Sequence, residues 1–242
     1  MIMMIFVTTT DSLTDEKLYE KAYLLIPEYR RVKADLLIPE YRRVKADKMK
    51  MRENKLQTVT AGLLLNYAVG EWSIKTGEKD YNTDEILYET VDIISVIEAN
   101  NPYFNYEIAY NSQGKPYFLS NREIFFNISH SSNYVACVIG DRPVGIDIEK
   151  ARKGRQNLAK RFFDISEAEW IKECDSDQRF FRIWTLKEAY GKATGQGVLD
   201  ILDKIVYRLE KGKMKAYMCG LPQNFTIVEK EFDGFSLSVI QL

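Results

Sequence analysis

Two acids in the heptapeptide VGIDIEK, residues 144 to 150, are spaced for chemistry. Alternate side chains of an extended strand share a face, so Asp147 and Glu149 project together, about 6.6 Å apart at roughly 3.3 Å of rise per residue. Two carboxylates facing one way repel each other. Either water solvates that face or a cation stands between them; a hard ion such as Mg2+ takes oxygen ligands and keeps positions open for phosphate oxygens. In WTLKEAYGKATG, Glu188 and Lys192 lie four residues apart and share a helix face, with Trp184 one turn earlier. They form either an exposed ion pair, worth about 0.3–0.5 kcal/mol, or a third metal carboxylate or base beside a lysine that neutralises phosphate. His130 is the single histidine of the chain, which removes zinc sites built on several histidines. It lies in NISHSSN, where Ser129, His130 and Ser131 offer clustered donors suited to an anion.

The rest of the composition narrows the field. The 242 residues carry a formal net charge of −1, so no global field favours nucleic acid or an anionic membrane, and neither is expected as a partner. Cys137, Cys174 and Cys219 are widely spaced, with no C-x-x-C pattern; a reducing, cytoplasmic setting is expected. The apolar start MIMMIFVTTT has no basic leader and meets Asp11 early, so it reads as a first strand rather than a signal peptide. No uncharged apolar run reaches about 18 residues, so no transmembrane helix is expected. Neither glycine-rich phosphate loop of the common types is present. A basic run (Arg42, Arg43, Lys45, Lys48, Lys50, Arg52 and Lys55 against Asp47 and Glu53) fits a solvated helix face or a phosphate grip.

The elements that must position these groups follow from periodicity. A strand over 2–8 precedes a helix starting near Thr14. LLIPEYRRVKAD then occurs twice, at 24–35 and 36–47. Two identical 12-mers are too few and too short for a solenoid, so one copy is expected to be structurally surplus. QTVTAGLLLNYAV and TDEILYETVDIISVI are predicted helices. From residue 115 the pattern turns to short strands, KPYFLS, FFNIS, YVACVIG and VGIDIE, separated by HSSN and DRP, as in an antiparallel meander. RQNLAKRFFD and SEAEWIKE are predicted helices, the second capped by Ser166 and Glu169. FFRIWTLKEAYGKATG is a predicted helix closed by Gly195. Four strands follow: KIVYRLE, KMKAYMC, NFTIVEKEF and FSLSVIQL. The fold class expected is α+β, with a seam at Asp141 to Pro143 dividing residues 1–142, which hold the duplication, from 143–242, which hold the acids.

Taken in order, GKPYF, FNISHS, GIDIE and WTLKEAYGKATGQG resemble the 4′-phosphopantetheinyl transferases, of the larger, surfactin-synthetase-activating (Sfp) type. The motifs run from residue 114 to 197. The resemblance implies a monomer of two similar α+β halves related by a pseudo-twofold axis, each with a small antiparallel sheet, and coenzyme A bound in the cleft between them. It implies that the phosphopantetheine arm of coenzyme A moves to a serine of an acyl or peptidyl carrier protein, of fatty-acid, nonribosomal-peptide or polyketide synthesis, releasing 3′,5′-ADP. Asp147, Glu149 and Glu188 match the family's acids for Mg2+ or Mn2+; Glu188 would take the serine proton and Lys192 would stabilise charge on the diphosphate. His130 matches a phosphate-contacting histidine, Ser129 stands beside it, and Lys115 matches a lysine near the nucleotide. Arg43 and Lys45 are candidates for the 3′-phosphate. The role of Lys187, also in the motif, stays open. The alternative is a non-catalytic relative that binds coenzyme A or a carrier protein. Lys160 and Arg161 in LAKRFFD are candidates to meet an acidic carrier helix.

Overall fold

The computed structural model describes residues 1–20, 22, 52–77, 85–99 and 107–242. Arg43, Lys45 and both copies of the duplicated 12-mer lie outside the described residues. The chain divides into two compact units, 1–109 with 116–141 and 110–115 with 142–242.

The first unit contains β1 (Ile2–Thr9), α1 (Arg52–Gly77), β2 (Glu85–Thr90), α2 (Ile93–Ala99), β3 (Ile108–Tyr110), β4 (Pro116–Phe118), β5 (Phe125–Ser131) and β6 (Tyr134–Gly140), with Tyr110 itself assigned to the second unit. IMMIFVT is apolar almost without alternation and buried along its length, which a strand flanked on both edges and covered on its faces requires. Accordingly β1 is central in a sheet of order β2-β1-β6-β5. β6 runs antiparallel to β1 and β5, but β2 runs parallel to β1, Ile2 opposite Glu85 and Val7 opposite Thr90. α1 lies against β1, β5 and β6. Its middle, Gln57 to Asn66, is buried on every side, so it is the core of this unit rather than a surface helix.

The expected helix over TDEILYETVDIISVI is in fact a strand and a helix. Glu85–Thr90 alternates half-buried with exposed, and Asp92 then starts α2 by accepting hydrogen bonds from the Ile94 N–H and the Ser95 hydroxyl. An aspartate so placed satisfies a donor that a helix N-terminus leaves open.

The second unit contains β7 (Val144–Lys150), α3 (Gln156–Phe162), α4 (Ile165–Glu173), α5 (Ser176–Thr194), β8 (Ile205–Glu210), β9 (Lys213–Met218), β10 (Leu221–Pro222), β11 (Thr226–Phe232) and β12 (Phe235–Gln241). Two three-stranded antiparallel sheets form, β11-β12-β7 and β10-β9-β8. α5 packs across β7 and β12, and its apolar face joins α3, α4, β8 and β9 in one core around Phe180, Ile183, Leu186 and Ala189. Its C-terminus is Gly195 at φ +80°, the left-handed stop that glycine adopts without strain. The cap of α4 lies two residues earlier than expected: Asp164 and Glu167, not Ser166 and Glu169, form the capping box. Asp164 wins because the helix begins at Ile165, which places Ser166 inside the first turn.

One buried ion pair fixes α5. Lys187 and Glu167 are both fully buried, with Nζ 2.9 Å from Oε2. Lys187 also donates to the carbonyls of Leu202, at 2.7 Å, and Ile205, while the other oxygen of Glu167 accepts from the Tyr207 N–H at 2.8 Å. Burial pulls the lysine down and pushes the glutamate up, and each partner's charge opposes that shift. A buried pair is tolerable only when its remaining donors and lone pairs are met in this way.

Candidate active site

Among the described residues β7 is an edge strand paired with β12, with Asp147 opposite Ser238, Glu149 opposite Ser236 and Gly145 opposite Ile240. Directly opposed residues of an antiparallel pair share a face. That face is the one α5 covers: Ser238 Oγ meets Thr185 Oγ1 at 2.8 Å, and Gln178 donates to Ser236 Oγ at 3.2 Å. Gly145 lies on the same face, where a Cβ would stand 2.1 Å from the carbonyl oxygen of Ala189 and 2.4 Å from the Ala193 nitrogen. The missing side chain lets the helix backbone rest on the strand. From that contact the pleat carries Asp147, then Glu149, along the helix.

The helix periodicity answers the strand. Glu188 and Lys192 project one turn apart, and Lys192 Nζ reaches Asp147 Oδ1 at 2.7 Å and the Ile146 carbonyl at 3.1 Å. Asp147 is only 5% exposed, so this contact sits largely out of water. Glu149 is half-buried and pairs with Arg152 at 2.9 Å. The Glu188 carboxyl is pushed up to about 7, first by desolvation and then by the charge of Asp147, with Glu149 adding to it and Lys192 opposing. The charges of both β7 acids raise the Glu188 carboxyl, so Glu188 lies within electrostatic reach of Asp147 and Glu149. Glu188, Lys192, Asp147 and Glu149 are therefore brought together.

As the side chains stand, no group of three or more His, Cys, Asp or Glu among the described residues closes around one point that could hold a metal ion. Lys192 and Arg152 instead stand on two of the acids. The donor set still fits a hard divalent ion in kind: three carboxylates from two elements, oxygen only, with repulsion that a cation relieves.

The other expected residues are placed as follows. His130 is near the end of β5 and exposed, while Ser129 is buried. Neighbouring strand residues project to opposite faces, so Ser129 and His130 leave β5 on opposite faces, with Ser131 on the face of Ser129. The hairpin turn is Ser132–Asn133, after Ser131 pairs with Tyr134. Lys115, in the second unit, donates to the carbonyls of Val144 at 3.3 Å and Ala193 at 2.7 Å. Sequence reasoning missed Gly145 and Arg152. Gly145 could have been found by extending the period of two back from Asp147; Arg152 follows Glu149 at a spacing that carries no signal in an irregular segment.

Comparison with known proteins gives the same family that the four motifs resemble. Residues 143–239 match the model of the 4′-phosphopantetheinyl transferase superfamily. A 4′-phosphopantetheinyl transferase of Bacillus subtilis is 38% identical over 100 residues, 40% of this chain and 45% of the relative. The 4′-phosphopantetheinyl transferase gsp of Aneurinibacillus migulanus is 33% identical over 147 residues, 59% of this chain and 61% of the relative. HetI, a 4′-phosphopantetheinyl transferase of Nostoc, is 40% identical over 114 residues, 43% and 46% of the two chains. These matches span about half the length of the relatives, and the family-model match, 143–239, contains β7 and α5 whole. The similarity to the Sfp type stands, with Sfp of Bacillus subtilis 34% identical over 130 residues, and so does the α+β fold class.

Proposed function

We propose that this protein transfers the 4′-phosphopantetheine arm of coenzyme A to a serine hydroxyl of an acyl or peptidyl carrier protein and releases 3′,5′-ADP. The observation that carries the proposal is the packing of β7 on α5 through Gly145, which sets Asp147 and Glu149 beside Glu188 and Lys192 within the segment that matches the family.

The reaction forms a bond between the serine oxygen and phosphorus and breaks the phosphorus–oxygen bond of the diphosphate that leads to 3′,5′-ADP. The serine proton must leave as the new bond forms. Glu188 is the candidate to take it, a carboxylate one helical turn before Lys192 and within electrostatic reach of Asp147. Lys192, which donates to the Ile146 carbonyl and Asp147, brings a positive charge beside these acids, where it would meet the charge developing on the diphosphate. Asp147, Glu149 and Glu188 are the residues that would hold Mg2+ or Mn2+. When bound, that ion supplies charge neutralisation of the diphosphate and a template for its oxygens. In the first unit, His130 is the candidate for a phosphate contact, with Ser129 as the candidate second donor. A monomeric, cytoplasmic enzyme is part of the proposal; the three cysteines are free thiols, and no helix among the described residues is long and apolar enough to cross a membrane.

The test is a panel of fatty-acid, polyketide and nonribosomal-peptide carrier proteins incubated with coenzyme A, Mg2+ and this protein, with intact mass as the readout. One carrier should gain the mass of one phosphopantetheine arm at a serine. Coenzyme A binding without gain on any carrier would favour a binding module and overturn the proposal.

A further inference from the structure

Lys115 ends the turn Asn111–Lys115, which is held from within. The Asn111 side-chain oxygen accepts from the N–H groups of Gln113, at 3.0 Å, and Lys115, at 2.8 Å, and the Asn111 N–H donates to the Lys115 carbonyl at 3.0 Å. The turn rests on the end of α5. Atoms of Asn111, Gln113 and Lys115 lie 3.5 to 3.8 Å from where a Cβ on Gly195 would be. From this seat the Lys115 amine reaches two carbonyls, Ala193 at 2.7 Å and Val144 at 3.3 Å.

Each acceptor has a reason to need it. Ala193 is the penultimate residue of α5, so its carbonyl is one of the last four that a helix cannot satisfy internally, and a cation there also meets the negative end of the helix dipole. The Thr194 hydroxyl already serves the carbonyls of Tyr190 and Gly191. Val144 is the first residue of β7. Lys192, which contacts Asp147, immediately precedes Ala193, and Gly145, where helix and strand touch, immediately follows Val144.

We propose that Lys115 is a positioning residue: a clamp that ties the start of the strand carrying Asp147 and Glu149 to the last turn of the helix carrying Glu188 and Lys192. The clamp works beside the Gly145 contact, where the nearest atoms of the helix are backbone. It holds the spacing between the β7 acids and Lys192 without touching any reacting group. The amine is held at about 8, below the usual lysine range, by desolvation, in keeping with its half-buried seat against the two carbonyls.

The kinetic arm of the test rests on the transferase reading; the exchange arm does not. In Lys115→Met the hydrophobic stem stays and the donor goes. Amide hydrogen exchange should speed up by about tenfold or more in the last turn of α5 and the start of β7, from loss of a charge-assisted bond, with β1 and β6 unchanged. In the transfer assay kcat should fall by about ten- to a hundredfold, as small misplacements of reacting groups do, with KM for coenzyme A within about twofold because binding is not the lost interaction. Unchanged exchange, or a raised KM for coenzyme A with kcat intact, would overturn the clamp and mark Lys115 as a ligand contact. If the wild type transfers nothing, the transferase reading fails while the exchange comparison still decides the clamp. Should Lys115→Met not fold, Asn111→Ala, which loosens the turn behind Lys115, must give the same directions with smaller size; no change there overturns the proposal.

Discussion

The backbone of Gly145 and the carbonyl of Ala189 are so close that a Cβ on the glycine would stand 2.1 Å from the oxygen. No flexible side chain can move aside, because the obstructing atoms belong to the α5 backbone. Gly145→Ala must push the helix away from β7. The expected loss is at least the roughly 1–3 kcal/mol of an overpacked core, together with transfer activity, since Lys192 leaves Asp147. Chemical denaturation and the carrier-protein mass assay check this; a variant of wild-type stability and rate would show that the contact is not what seats the helix.

Lys187 and Glu167 carry a different prediction, about stability alone. Lys187→Met should cost about 3–5 kcal/mol, because Glu167 is left charged or unpaired in the core. Combining it with Glu167→Leu should recover much of that loss, as the orphaned carboxylate goes with its partner. Denaturation of the single and double variants measures it, and a double variant less stable than the single contradicts it.

The Lys115 amine should titrate near 8 rather than 10.5, measured by the pH dependence of its side-chain NMR signals. The unfolded chain then binds more protons than the folded one between those values, so this group's contribution to stability rises as pH increases from about 8 to 10.5. A midpoint above 10 would mean that the amine stands in water.

If Asp147 holds the proposed divalent ion, Lys192 and that ion compete for its carboxylate. With no coenzyme A present, Lys192→Met should therefore bind Mn2+ more tightly than wild type, by a few-fold, while transfer activity falls because the positive charge beside the diphosphate is gone. Calorimetric titration of Mn2+ into both proteins decides it; equal affinities would mean that the lysine and the ion do not share the carboxylate.

Local periodicity made much of this site readable. A period of two put Asp147 and Glu149 on one face, and a period of 3.6 paired Glu188 with Lys192 and placed the stop at Gly195. What stayed hidden depends on partners far along the chain. β2 looks helical because Glu85 to Ile97 is rich in residues either element accepts; its strand state is set by parallel pairing with β1, more than eighty residues away. Lys187 and Glu167 are twenty residues apart on different helices, and nothing in either segment announces the other. His130 and Ser129 looked like paired donors in a loop, whereas the strand runs on to Ser131 and its pleat separates them.

The central claim is that the acids of β7 and the helix beside them serve phosphopantetheine transfer. Its most direct measurement is the intact mass of a carrier protein after incubation with coenzyme A and Mg2+, using wild-type protein and Asp147→Asn. The account predicts one added arm with wild type and, from a variant that still unfolds cooperatively, none. A carrier modified equally by both proteins, or by neither, would contradict it.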